Sequence, residues 1–501
     1  MNEYASHTDA EPAGERVTLL IRGCDALGAS GEIREGVDVA IAGSRIAWIE
    51  PTGGGPGPRP VDVLDGRGLL ALPGLVNAHT HSAENCLRGA GEGLPLEVWL
   101  TRMFGTAGAF SPEDHYVTAV AGAVEMLRSG TTAVLDHLWM TPPTVEAADA
   151  VLRAYRDVGI RAVVAPLVAD IDSTGDFALA CGHDVSGALF TDLAGGQPPA
   201  EIQAQLEQLI ADWHGAEDGR LQIFAGPVGL QWCSDELLAG LAETAARHGT
   251  GLTIHLLETR LQAEVARHRF GVGAVDALDR LGVLGPTTSL AHAVWLEAAD
   301  PELIAERGAV VVHNPSANFR LGSGVAPVPE LLGAGARVAL GCDGCASSDN
   351  QVLWSQVKLA ALVHNDDVRG RWVSSRAALA MATTGGAAAI GLTGQLGALE
   401  PGALADVVLV DQTGDGMAGA LDVGSALALS ETGRGVEHVI VDGRPVVEHG
   451  RCLTVDAVAV RGELRRQAES RRRGVPPEIA AAMAKMARLK QRVNREAGAP
   501  V

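Results

Sequence analysis

The chain has 501 residues, 47% of them hydrophobic, with 39 basic and 61 acidic side chains and a formal charge of -22. That length accommodates one large domain and a smaller one, and so acidic a surface argues against nucleic acid as a partner. No apolar run approaches the roughly 18 residues of a membrane span, the N-terminus lacks a signal-peptide pattern, and seven scattered cysteines suggest reduced thiols in the cytoplasm, not a disulfide framework.

Residues 1–15 are polar and read as a disordered N-terminus. Short β-like runs follow within residues 16–71 (VTLLIRG, VDVAIAG, RIAWIE), and similar runs return within residues 393–459 (ADVVLVD, VEHVIVDG, RPVVEHG). Two such segments flanking a long middle imply one small composite β-sandwich built from both ends of the chain. The middle, residues 72–392, alternates helical stretches with the apolar runs LLALPGLVNAH, TTAVLDH, RAVVAPLVAD, LQIFAGPV, GLTIHLLE, TTSLAHAVWL, GAVVVHNP and RVALGCDG. Near-continuous apolarity suits parallel strands buried on both faces. The β-then-α alternation predicts an α/β fold, specifically a (β/α)8 TIM barrel. An open doubly wound sheet is the alternative, but it does not call for polar residues at so many strand ends. Ser111-Pro112-Glu113-Asp114 reads as a helix start, with Gly130 as its stop. Residues 460–501, rich in Ala and Arg, are expected to form a helical tail packed on the outside.

Barrels of this kind carry their active sites at the C-terminal ends of the strands. The first strand ends in His79-Thr80-His81, whose two imidazoles fall on one side of a strand. The fifth ends at His255, with Glu258 just beyond, the sixth at His292 and the eighth at Asp343. Three imidazoles and a carboxylate from the first, fifth and eighth strands could hold one borderline cation such as Zn²⁺, with Fe²⁺ possible, and leave a position for water.

The stretches LPGLVNAHTH, TIHLLE, LAHAVWL, HNPSANFRLGSGVAPVPELLGAG and LGCDG, with GALEPGALADVVLVD further on, resemble the signatures of the amidohydrolase superfamily. More narrowly they are similar to its aminated-ring branch, which includes the methylthioadenosine/S-adenosylhomocysteine deaminases, guanine deaminase and the triazine hydrolases. The resemblance implies the barrel with its β-sandwich, assigns the metal to His79, His81, His255 and Asp343, and suggests a homodimer or larger assembly. Relatives with two metals bridge them by a carboxylated lysine on the fourth strand. Here LQIFAGPV contains none, and the only lysines are Lys358, Lys485 and Lys490, so a single metal is expected.

A divalent cation lowers the pKa of a bound water from about 15.7 toward 7. Asp343 can accept that water's proton, Glu258 can protonate a ring nitrogen and then the departing ammonia, and His292 can stabilise the attacking oxygen. The expected activity is hydrolytic deamination of an amino-substituted nitrogen heterocycle, a small molecule of purine, nucleoside or pterin type. The alternatives are a pyrimidine deaminase, a hydrolase displacing an amide or halide, or a metal-free scaffold that keeps the barrel. The resemblance puts Glu97 on ribose hydroxyls and Trp99 on the pocket wall. The branch's nucleoside enzymes, however, carry a histidine where GPVGLQWC has Val228, leaving Gln231 and Trp232 as substrate contacts. Cys342-Asp343-Gly344-Cys345 has redox spacing without a second such pair, Gly89–Gly93 reads as a loop, and His137 and His313 serve either the scaffold or the substrate.

Overall fold

The computed structural model describes residues 16–28, 31–55, 60–140, 143–171, 197–472 and 474–496. Residues 1–15, expected to be disordered, and Cys181 lie outside the described residues.

Both ends of the chain meet in one sheet. From the N-terminal side come β1 (Leu19–Leu27), β2 (Ile33–Ala42), β3 (Arg45–Pro51), β4 (Asp62–Asp65) and β5 (Leu69–Pro73). The middle of the chain supplies β6 (Leu75–Thr80), β7 (Thr131–Leu138), β8 (Arg161–Val168), β9 (Leu221–Ile223), β10 (Gly226–Pro227), β11 (Leu252–Leu256), β12 (Thr288–His292), β13 (Val310–His313) and β14 (Arg337–Leu340). From the C-terminal side come β15 (Val407–Asp411), β16 (Val436–Val441), β17 (Arg444–Glu448) and β18 (Arg451–Cys452). The terminal strands hydrogen-bond as a single nine-stranded sheet, ordered β18-β17-β16-β15-β5-β1-β2-β3 with β4 beside β1. Its join is antiparallel, β5 against β15, with Leu72 opposite Val408. Ile21, Val39, Ile41, Val407, Leu409 and Ile440 share one apolar cluster, which binds the two ends together.

The sequence run LLALPGLVNAH does not form one strand. Leu69–Pro73 enters the nine-stranded sheet, Gly74 turns the chain, and β6 starts the inner array. A Cβ at Gly74 would fall 2.0 Å from the Thr132 hydroxyl, so only glycine permits this close turn. The expected boundary at residues 71 and 72 therefore falls inside β5.

The inner strands are all parallel. One sheet runs β10-β8-β7-β6 with β9 beside β8, and the other runs β11-β12-β13-β14. Parallel bridges Ala225–Leu252 and Gly229–His255 connect the two sheets. At the far side the Asp343 N–H donates to the His79 carbonyl at 2.8 Å, so the last strand's end reaches the first. The LQIFAGPV run is split into β9 and β10, which share this one position in the array. The helices Val145–Val158, Asp235–His248 and Asp300–Arg307 separate successive strands. The helix Pro112–Arg128 starts as expected, with Ser111 and Asp114 exchanging side-chain and backbone hydrogen bonds.

A buried ion network ties the array to the outer sheet. Arg161, at the start of β8, reaches Asp406 at 2.9 Å and Asp442 at 3.0 Å. The tail forms helices Ala457–Ser470 and Pro477–Glu496. The second packs on the helix Leu96–Thr106, where Ile479 lies so close to Gly105 that a Cβ there would approach it to 2.5 Å.

Candidate metal centre and active-site cleft

The strand ends bring the sequence-predicted ligands to one place. The His79 ring centroid lies 4.8 Å from that of His81, 4.9 Å from His255 and 5.4 Å from His292. Asp343 Oδ1 stands 3.3 Å from His81 Nε2 and 3.8 Å from His79 Nε2, and the Nε2 atoms of His255 and His81 are 3.3 Å apart. Two overlapping triplets, His79/His81/Asp343 and His79/His255/His292, each have their ligand atoms within 4.8 Å of one another. His292, expected at this site as a catalytic residue, thus lies as near as a ligand.

The donor chemistry suits a cation. Both ring nitrogens of His79 are buried without a hydrogen-bond partner, which is costly unless something accepts a lone pair. Burial, reinforced by the neighbouring imidazoles, pushes His79 and His255 well below the usual histidine pKa, so both rings are neutral and offer lone pairs. Burial also pulls on His81, but the Asp343 and Glu84 carboxylates outweigh it and raise its pKa. His81 Nδ1 lies 2.6 Å from the His137 carbonyl and His255 Nδ1 2.6 Å from the Val228 carbonyl. Each Nδ1–H is thereby spent, and the Nε2 lone pairs turn toward the centre. The residues fit one divalent ion.

Asp343 is held in a strained backbone, φ 65°. Its carbonyl accepts from Gln351 Nε2 at 2.8 Å and from the Thr80 hydroxyl at 3.1 Å, while Asn77 Oδ1 takes the Cys342 N–H at 2.8 Å. Leu257, His292 and Ala293, beside the same centre, also have positive φ.

A cleft opens over the centre. Trp99, Phe104, Trp139 and Trp232 supply its aromatic walls, and Glu84, Glu258, His292 and Asp343 are among its polar groups; no lysine or arginine lines it among the described residues. Glu258 is 3% exposed, and burial raises its carboxyl pKa against the opposing pull of His292. Its Oε1 accepts from the Ser323 hydroxyl at 2.9 Å, and its Oε2 lies 3.7 Å from His292 Nε2. His292 Nδ1 is 2.9 Å from Asn318 Oδ1, which leaves Nε2 facing Glu258 and Asp343.

Two expected substrate contacts do not line the cleft. Glu97 has both oxygens engaged, one by the Thr259 hydroxyl and the other by the Lys490 ammonium. Gln231 is buried at the turn after β10, its Nε2 without a partner, because the chain there folds its amide back beside Gly229. Trp99 and Trp232 do line the cleft, and the Gly89–Gly93 loop places Gly91 against the Trp99 indole, leaving no room for a Cβ.

Sequence reasoning missed Glu84, Asn318, Ser323, Asn77 and Gln351. Glu84, three residues past His81, is a buried carboxyl, and desolvation pushes it up to about 7. His137 supports the scaffold: its carbonyl orients His81, and its Nε2 lies 3.0 Å from the Gly226 carbonyl. His313 lies against His364, outside the cleft lining. Cys342 and Cys345 are both buried free thiols.

Residues 70–446 match the model of the Amidohydrolase family. The chain belongs to that family. The 5-methylthioadenosine/S-adenosylhomocysteine deaminase of Moorella thermoacetica is 34% identical over 88% of this amidohydrolase and 96% of its own length. The 5'-deoxyadenosine deaminase of Methanosarcina mazei is 35% identical over 81% and 88%. Among solved structures, the atrazine chlorohydrolase of Arthrobacter aurescens, complexed with zinc, superposes with a TM-score of 0.82 at 27% identity, covering 90% of this chain and all of its own. The strand position formed by β9 and β10 has no lysine in this family member.

Proposed function

We propose that this amidohydrolase is a metal-dependent deaminase of small amino-substituted nitrogen heterocycles, purine-, nucleoside- or pterin-like. The observation that carries the reading is His79, a fully buried imidazole with two partnerless nitrogens, set against His81, His255 and Asp343, which line an aromatic cleft. These four residues would hold one divalent cation, Zn²⁺ or Fe²⁺, which supplies Lewis acidity and a water acidic enough to ionise near neutral pH.

The remaining work falls to the chain. Asp343 Oδ1 takes the Gly344 N–H at 2.8 Å, which leaves Oδ2 as the oxygen that accepts a proton. Glu258, whose carboxyl pKa is raised by burial, gives its proton to a ring nitrogen, regains one from the hydroxyl added to the ring carbon and passes that to the leaving amine. His292, fixed through Nδ1, presents Nε2 between Glu258 and Asp343, where charge develops on the attacked carbon's oxygen. The aromatic walls sandwich a flat ring. The names of the two deaminase relatives support loss of ammonia.

The proposal includes a closed (β/α)8 barrel that starts at β6 and runs to residue 392, with the nine-stranded sheet, β5 included, curled into a composite sandwich that residues 393–459 complete, and a helical tail at 460–501. It also includes a cytoplasmic homo-oligomer; no helix among the described residues is long and apolar enough to cross a membrane. A second reading, displacement of a halide, draws on the chlorohydrolase neighbour. An ammonia- and chloride-release screen of metal-loaded protein over aminated purines, pterins, pyrimidines and chlorotriazines tests both. Ammonia from a purine or pterin is expected. Chloride release alone favours the second reading, and inertness toward every class with a full metal complement defeats both.

A further inference from the structure

The cleft carries a carboxylate that the proposed deamination does not use. Glu84 sits in the helical turn Ser82–Cys86 immediately after His81, is 4% exposed and lines the cleft. One oxygen is committed: Oε2 accepts the Ala346 N–H at 3.1 Å and the Ser347 hydroxyl at 3.4 Å. Oε1 has no hydrogen bond among the described residues, although it is not sealed from the cleft. The carboxyl lies against Gly344, where a Cβ would fall 2.0 Å from Oε2 and 2.8 Å from Oε1, so a glycine after Asp343 is what admits it.

Oε1 therefore faces the cleft with no protein donor on it, and no lysine or arginine among the described residues lines the cleft to supply one. A substrate can. Apart from the four residues of the metal centre, the polar side chains lining the cleft are Glu84, Glu258, Gln262, His292 and Ser347, among aromatic and aliphatic walls. Glu97, the carboxylate expected to read ribose hydroxyls, is fully engaged by Thr259 and Lys490.

We propose that Glu84 is a substrate-recognition residue whose Oε1 accepts a hydrogen bond from a second N–H donor of the ring, distinct from the group held at Glu258. The substrate class that follows is a flat polyamino heterocycle with an apolar substituent and no phosphate or carboxylate. The assignment rests on the deaminase reading of the same cleft.

Glu84→Gln tests it. The amide oxygen still receives Ala346 N–H and the Ser347 hydroxyl, which places an NH₂ donor where Oε1 stood. The probes are melamine, with three amino edges, and 2-amino-4,6-dimethoxy-1,3,5-triazine, which keeps one amino group and replaces the others by acceptors. A threefold ring presents equivalent edges however it sits. Calorimetry on zinc-loaded protein should show melamine bound at least tenfold more tightly by the wild type. In Glu84→Gln that ratio should fall tenfold or invert, with metal stoichiometry and melting temperature unchanged. An unchanged ratio, or an equal loss for both probes, overturns the assignment and leaves Glu84 a structural residue. If Glu84→Gln fails to fold, Glu84→Asp withdraws the carboxylate by one methylene and should lose the same preference. An inverted ratio with no ammonia from any substrate would sink the deaminase reading but not the Glu84 contact; ammonia release with an unchanged ratio would do the reverse.

Discussion

Replacing Ser323 by alanine removes the one side-chain hydroxyl that donates to the Glu258 carboxyl, across 2.9 Å and between groups 2% and 3% exposed. A hydrogen bond to a charged group contributes about 1.5–3 kcal/mol, which at 1.36 kcal/mol per unit corresponds to a pKa change of roughly 1–2 units. The direction follows from which form Ser323 favours. Its donation stabilises the ionised carboxylate, so its loss raises further a pKa that burial already holds high. In the proposed reaction Glu258 must carry the proton it delivers, so turnover declines as pH rises through its pKa. The descending limb of kcat against pH should therefore move to higher pH in Ser323→Ala, by about 1–2 units. Steady-state ammonia release across a pH series measures it, with the melting temperature as a control for the missing oxygen. A descending limb that stays put, or moves to lower pH, would refute Glu258 as the proton donor.

Asp343→Asn should lower turnover by orders of magnitude while circular dichroism shows an intact fold; near-normal activity removes Asp343 from its role. Glu258→Gln should bind the same metal equivalent as the wild type and fail to turn over, whereas a metal-free variant would make Glu258 a ligand. Removing metal with a chelator should abolish activity and lower the melting temperature, because a bound ion stabilises only the folded arrangement of His79, His81, His255 and Asp343; an unshifted transition argues against a metal there. Lys490→Met leaves Glu97 buried beside Thr259 without its cation, at a cost of about 3 kcal/mol. Chemical denaturation should report that loss, and an unchanged midpoint would show that the pair contributes nothing.

The meeting of His79, His81, His255 and Asp343 was legible because each ends an apolar run, and strand ends converge in a parallel array. The eight strand positions were legible for the same reason, although LLALPGLVNAH hid a break: apolarity does not reveal that Leu69–Pro73 pairs with Val407–Asp411. Glu84 escaped notice because a helical turn, not a strand, aims it into the cleft. Ser323 and Asn318 lay within a recognised stretch, yet nothing local indicates that they hold Glu258 and His292. The surroundings of Glu97 were hidden for a comparable reason. Its cation, Lys490, comes from a tail helix 393 positions away, and no local pattern records such a pairing.

The antiparallel join of β5 to β15 has a consequence for biosynthesis. A ribosome adding about 5–20 residues per second needs on the order of tens of seconds between finishing Leu69–Pro73 and releasing Val407–Asp411. For that interval the first five strands have an open edge and an uncovered apolar face, and only Gly74 separates that edge from the strand that bears His79 and leads into His81. Yield in a heterologous host should consequently depend more on chaperone supply and growth temperature than on surface charge. Shortening the chain from its C-terminal side into β15 should harm nascent molecules long before it touches any residue of the cleft.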